Sequence, residues 1–161
     1  MSRNTINKKD NTKVVNTFII IGIVFLIASL VLMFVNKENS SIKKINYQEY
    51  KDIIKEDKYN IILLTSPTCS HCINYKPYVN YVASKNNLTV YDIDLSNLDY
   101  DEYIELHDKY NAIKNEYRDG KPVIPTPATI IVRNGEEVTS ILGDIGQLGF
   151  TNLLKNNNII K

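Results

Sequence analysis

Ser66-Pro67-Thr68-Cys69-Ser70-His71-Cys72 follows an apolar run, Ile61-Ile62-Leu63-Leu64, and its reading decides the fold. Cys69 and Cys72 are the only cysteines of the chain. A C-x-x-C between a buried strand and the start of a helix is a setting for redox chemistry. The first free N–H groups of such a helix and its macrodipole favour a thiolate there. A purely structural disulfide is the plainer alternative. It would close a loop of two intervening residues and so constrain the unfolded chain little.

Working outward on the N-terminal side, Phe18 to Val35 is a run of 18 residues without a charge. As a helix it would be about 27 Å long, enough to cross a bilayer core. It lacks the polar positions of a core helix, and no small-residue cleavage site follows it. We therefore expect an uncleaved single transmembrane span over 18–35, after a basic tail at 1–17 and before a tether at 36–45. Arg3, Lys8, Lys9 and Lys13 outweigh Asp10 ahead of the span. That bias places the N-terminus in the cytoplasm and the remainder outside. Across the chain, 19 basic and 18 acidic residues nearly cancel, which argues against a nucleic-acid partner.

Residues 46–161 form the expected folded domain. Tyr47, Tyr50, Ile53 and Ile54 recur at helical spacing, which predicts a helix over Asn46–Lys58. Asn60–Thr65 reads as a buried strand, and a helix follows from Cys69 to about Lys85, interrupted by Pro77. Leu88–Leu95 alternates as a strand. Asp99 to about Tyr117 reads as one long helix, with acidic residues in its first turns and Tyr103, Leu106, Tyr110 and Ile113 on one face. Residues 118–122 read as a loop. Ala128–Arg133, an Asn134-Gly135 turn and Glu137–Leu142 describe a hairpin, and Ile145 to about Asn157 a last helix. Together these predict an α/β domain with a mixed four-stranded sheet and helices on both faces.

With the elements in order, the residues from about 46 to 157 resemble the thioredoxin superfamily. The C-x-x-C follows the first core strand, and Pro77 falls five residues after Cys72. Pro127, in Ile124-Pro125-Thr126-Pro127, precedes Gly135 by eight, and Gly143 follows Gly135 by eight. The anchor adds a similarity to membrane-tethered thioredoxin-like proteins of Gram-positive bacteria. The resemblance implies a cis Thr126–Pro127 bond facing the dithiol, with the backbone of Thr126 pairing with an extended substrate. There are departures too. Ser70-His71 separates the cysteines where thioredoxin has Gly-Pro, Thr68 replaces its Trp, and Leu63 replaces a buried aspartate.

The expected activity is thiol–disulfide exchange with exported proteins. Cys69 is the nucleophile, Cys72 resolves the mixed disulfide, and His71, as a donor or a cation, favours the Cys69 thiolate. Such exchange needs no organic cofactor and no metal. His107, on a charged helix, reads as a solvated surface residue. Electrons would pass to or from a redox partner such as a membrane thiol-transfer protein. A non-catalytic thioredoxin-fold adaptor at the membrane is the alternative from another class.

Overall fold

A computed structural model describes residues 18–29 and 40–161, which fall in two separate units. In the first, residues 18–29 are helical (α1) and their side chains exposed. The expected span over 18–35 is covered only in this part, and its remainder, the tail at 1–17 and residues 36–39 of the tether lie outside the described residues. Among the described residues no helix is long and apolar enough to cross a membrane.

The second unit is built on Asn60–Thr65 (β2), all six residues of which are buried. Such complete burial requires cover on both faces, and alternate side chains supply both cores. Ile61 and Leu63 pack with Tyr75, Val79 and Phe150 on one face. Ile62 and Leu64 pack with Tyr50, Leu106 and Tyr110 on the other. The elements covering the first face are Ser70–Lys85 (α3) and Gly146–Asn156 (α5); Tyr47–Ile53 (α2) and Tyr100–Lys109 (α4) cover the second. Both α2 and α4 start in capping boxes, Asn46 with Glu49 and Asp99 with Glu102, which satisfy free N–H groups reciprocally.

The sheet has five strands, one more than expected, in the order β1-β3-β2-β6-β7. The extra strand is Ile42–Lys44 (β1), inside the segment read as tether. Three residues, two of them lysines, carry no alternation that a sequence could reveal. Val90–Asp94 (β3) pairs with β1 and β2 in parallel, and Asn80 of α3 accepts from the Ser41 N–H at 2.8 Å. Ala128–Arg133 (β6) runs antiparallel to β2 and to Glu136–Leu142 (β7).

Two helices are shorter than their periodicity predicts. α2 ends at Ile53, where Asn60 donates its side-chain N–H to the Ile53 carbonyl at 2.9 Å. α4 ends at Lys109, since Tyr110 is extended, at φ −109° and ψ 134°. Tyr110 and Ile113 are nonetheless fully buried. Their spacing marked the core correctly, and turns rather than a helix deliver them. The expected loop at 118–122 is a small hairpin, Tyr117–Arg118 (β4) with Lys121–Pro122 (β5).

His107 corrects a further expectation, being fully buried rather than solvated. Its Nδ1 lies 2.7 Å from an Asp108 carboxylate oxygen and its Nε2 2.9 Å from the Glu116 carbonyl. The ring thus fastens the end of α4 to the hairpin segment, which explains why a histidine is tolerated inside.

Burial also acts on the core tyrosines. The Tyr75 hydroxyl, bonded to Thr129, is pushed up from 10.0 to about 12 chiefly by burial, and burial raises Tyr50 and Tyr110 as well. A raised phenol stabilises the fold fully below the unfolded value and loses that contribution as pH climbs through the folded one. Urea unfolding should therefore show stability falling between about pH 10 and about pH 12, and falling less steeply in Tyr75→Phe. An identical slope in the variant would contradict this assignment.

Candidate functional site

β2 ends at Thr65, and the chain turns through Ser66-Pro67-Thr68 into α3. Cys69 is the N-cap of that helix, in extended conformation at φ −84° and ψ 105°. Its carbonyl takes the first helical bonds, from the N–H groups of Cys72 at 3.1 Å and Ile73 at 3.2 Å. Its sulfur accepts the Cys72 N–H at 3.0 Å, as a serine or aspartate oxygen would at an N-cap. Cys69 and Cys72 are joined in a disulfide with Cα atoms 5.3 Å apart. Cys69 is partly exposed, whereas Cys72 is 2% exposed on the sheet-facing side of the helix.

Facing the pair is the loop before β6. The Thr126–Pro127 bond is cis, and the Thr126 carbonyl oxygen lies 3.4 Å from the Cys69 sulfur. Pro127 is buried, and its own carbonyl accepts the Gly143 N–H at 2.7 Å. Gly143 adopts φ +87°, a left-handed conformation open to glycine at little cost. Tyr103 of α4 steadies the same loop through its hydroxyl, which accepts the Ile124 N–H at 2.7 Å. Among the described residues, neither the N–H nor the carbonyl of Thr126 enters a backbone hydrogen bond. That leaves the backbone donor and acceptor of Thr126 beside a disulfide, open to pairing with another chain.

Four of the five residues expected at the site therefore meet: Cys69, Cys72, Thr126 and Pro127. His71 stands apart, exposed on the first turn of α3, with no side-chain hydrogen bond among the described residues. The contact with the Cys69 sulfur comes instead from the backbone of the helix. Pro77 lies within α3, one turn past Ile73.

One group escaped sequence reasoning. Asp92 on β3 is 2% exposed and accepts from the Lys76 ammonium at 2.7 Å and the Thr65 hydroxyl at 2.7 Å. Nothing in the pattern of its strand singled it out. The second covered face of the sheet turns that position inward.

This architecture has solved counterparts. Thioredoxin f2 of Chlamydomonas reinhardtii matches with a TM-score of 0.59 at 10% identity, over 74% of this chain and 99% of that one. The chain has the thioredoxin fold. A thioredoxin of Trypanosoma brucei brucei matches with a TM-score of 0.55 at 15% identity, over 77% of this chain and 95% of that one. One of Malassezia sympodialis gives 0.54 at 15% identity, over 74% and 92%. At such identities the likeness concerns the fold. No protein-family model matches the chain, and no curated protein does.

Within this thioredoxin-like domain the two sulfurs should react unequally once reduced. With limiting iodoacetamide, Cys69 should be alkylated at least about tenfold faster than Cys72, because it is more exposed and stabilised as thiolate. Tandem mass spectrometry of the tryptic peptide 59–85, which holds both cysteines, reads the ratio from fragment ions formed between them. Equal labelling would contradict the assigned roles.

Proposed function

We propose that the protein is a membrane-anchored thiol–disulfide oxidoreductase that exchanges disulfides with exported proteins outside the cytoplasm. The observation that carries this reading is the Cys69–Cys72 disulfide at a helix N-cap, with the free backbone of Thr126 3.4 Å from the outer sulfur. In the reducing direction the Cys69 thiolate attacks a substrate disulfide held beside Thr126. One substrate sulfur leaves as a thiolate, the other stays bonded to Cys69, and Cys72 then displaces it to re-form the internal disulfide. Donation of a disulfide is the same sequence reversed, with its direction set by the potential of the partner.

The charge-free run Phe18–Val35 supports anchoring, and the exposed apolar helix at 18–29 agrees with it. The basic flank ahead of the run supports a cytoplasmic N-terminus, which puts the dithiol outside. These features suit the membrane-tethered thioredoxin-like proteins of Gram-positive bacteria. Electrons would come from or go to a membrane thiol-transfer protein or a small thiol.

Cys72→Ser supplies the test, since it leaves the mixed disulfide on Cys69 unresolved. Expressed in cells, this variant should accumulate reducible adducts with exported proteins in the membrane fraction, absent from the Cys69→Ser/Cys72→Ser double variant. A lack of adducts would overturn the exchange reading in favour of an adaptor. Adducts confined to cytoplasmic proteins would overturn the location.

A further inference from the structure

The charges of the folded unit are segregated by layer. Segments 40–45, 66–91 and 145–161, which include β1, α3 and α5, hold six lysines and no acidic residue. Segments 46–58 and 95–122, which include α2 and α4, hold eleven acidic and seven basic residues. Of the six lysines, Lys76 is paired with the buried Asp92. Lys43, Lys44, Lys85, Lys155 and Lys161 are exposed and enter no salt bridge among the described residues. Asp144, just ahead of α5, is an exposed carboxylate at the margin of this layer.

The same layer carries apolar and aromatic surface. On the side of α3 away from the sheet, Ile73, Pro77 and Tyr81 recur every four residues and so form one row, with Tyr78 beside it. All four are exposed, Ile73 by 65%. The Lys85 ammonium lies over the Tyr81 ring, 4.7 Å from its centre. Leu148, on α5 across the shared core, is 73% exposed. Tyrosine beside lysine, without carboxylates, suits a bilayer interface: the ring rests among headgroups and acyl ends while the ammonium meets lipid phosphate.

The covalent connection points the same way. Val35, the last residue of the charge-free run, is five residues from Ser40, a reach of at most about 18 Å. The Ser40 hydroxyl and the Ser41 N–H both donate to the Asn80 side chain of α3, at 3.3 and 2.8 Å. The chain therefore enters the folded unit against this layer. A helix with its side chains is about 10–12 Å thick, so that reach lets α3 lie flat between the sheet and a lipid surface. On the reading that the protein is anchored through residues 18–35, we propose that the outer face of α3 and α5 docks on the bilayer that holds the anchor, its lysines on anionic lipid headgroups. Docked in this way, α3 lies along the membrane. The dithiol at its N-terminus is then held at the level of the headgroups, within reach of a thiol partner in the membrane.

The chain has no tryptophan, so one introduced on either layer reports its own depth. Tyr81→Trp on α3 and Tyr100→Trp on α4, both at exposed positions, are made separately in the intact chain. Each is reconstituted in vesicles of phosphatidylcholine brominated near the headgroup, with and without phosphatidylglycerol. With the anionic lipid present, quenching by bromine should be at least about threefold stronger at position 81 than at position 100. That excess should shrink at least about twofold when phosphatidylglycerol is left out, and likewise in a Lys85→Gln/Lys155→Gln background. Equal quenching at the two positions, in protein that floats with the vesicles, would overturn the proposal. An excess at position 81 that ignores both phosphatidylglycerol and the lysines would overturn anionic lipid as the partner. Protein that fails to float with the vesicles would instead sink the anchor, and this proposal with it.

Discussion

The hydrogen bond from the Cys72 N–H to the Cys69 sulfur is the interaction on which the site depends. A helix begins with N–H groups that have no partner in the helix, and a polar side chain at the N-cap ordinarily meets one of them. Here a sulfur does so, at 3.0 Å. Capping α3 and, on the proposed exchange, stabilising a Cys69 thiolate therefore rest on one hydrogen bond. When the disulfide opens, the same N–H and the helix dipole face the negative charge that Cys69 acquires. His71, exposed beside the pair, adds no bond to this arrangement.

That cap is held in place by the sheet. β2 is buried on both faces, so it can neither slip in register nor turn over without exposing one of the two cores. Its C-terminal end fixes where α3 starts. The opposing wall depends on the same strand, because β6 pairs with β2 from Leu64–Ala128 onward, directly after Pro127. Two sequence segments 57 residues apart thus meet through one ladder.

Asn60–Thr65, the dithiol helix and the hairpin 128–142 were all legible in the sequence. Each is marked by strong local signals: an apolar β-branched run, the C-x-x-C that follows it, and an Asn-Gly turn. The long helix expected over 99–117 was not, although Tyr110 and Ile113 do enter the core, because spacing shows which side chains are inside and not what backbone carries them. β1 is three residues of pairing with no pattern of its own. His107 was misread, and Asp92 passed unremarked, for one shared reason. A polar residue in a polar context looks solvated until the fold supplies its partners, here the Glu116 carbonyl and the Lys76 ammonium. At the dithiol itself, the cysteines and Pro127 were visible by spacing, while the donor to the Cys69 sulfur was not, because a backbone N–H has no letter.

The central claim is that the helix N-terminus, through the Cys72 N–H, makes Cys69 the thiolate of the pair. Its most direct test is the titration of Cys69 in the reduced protein, followed by thiolate absorbance, with His71→Ala alongside. The account predicts a midpoint below the free-cysteine value of about 8.5, shifted little by removal of His71. A midpoint at or above that value, or one that rises to it when His71 is removed, would contradict it.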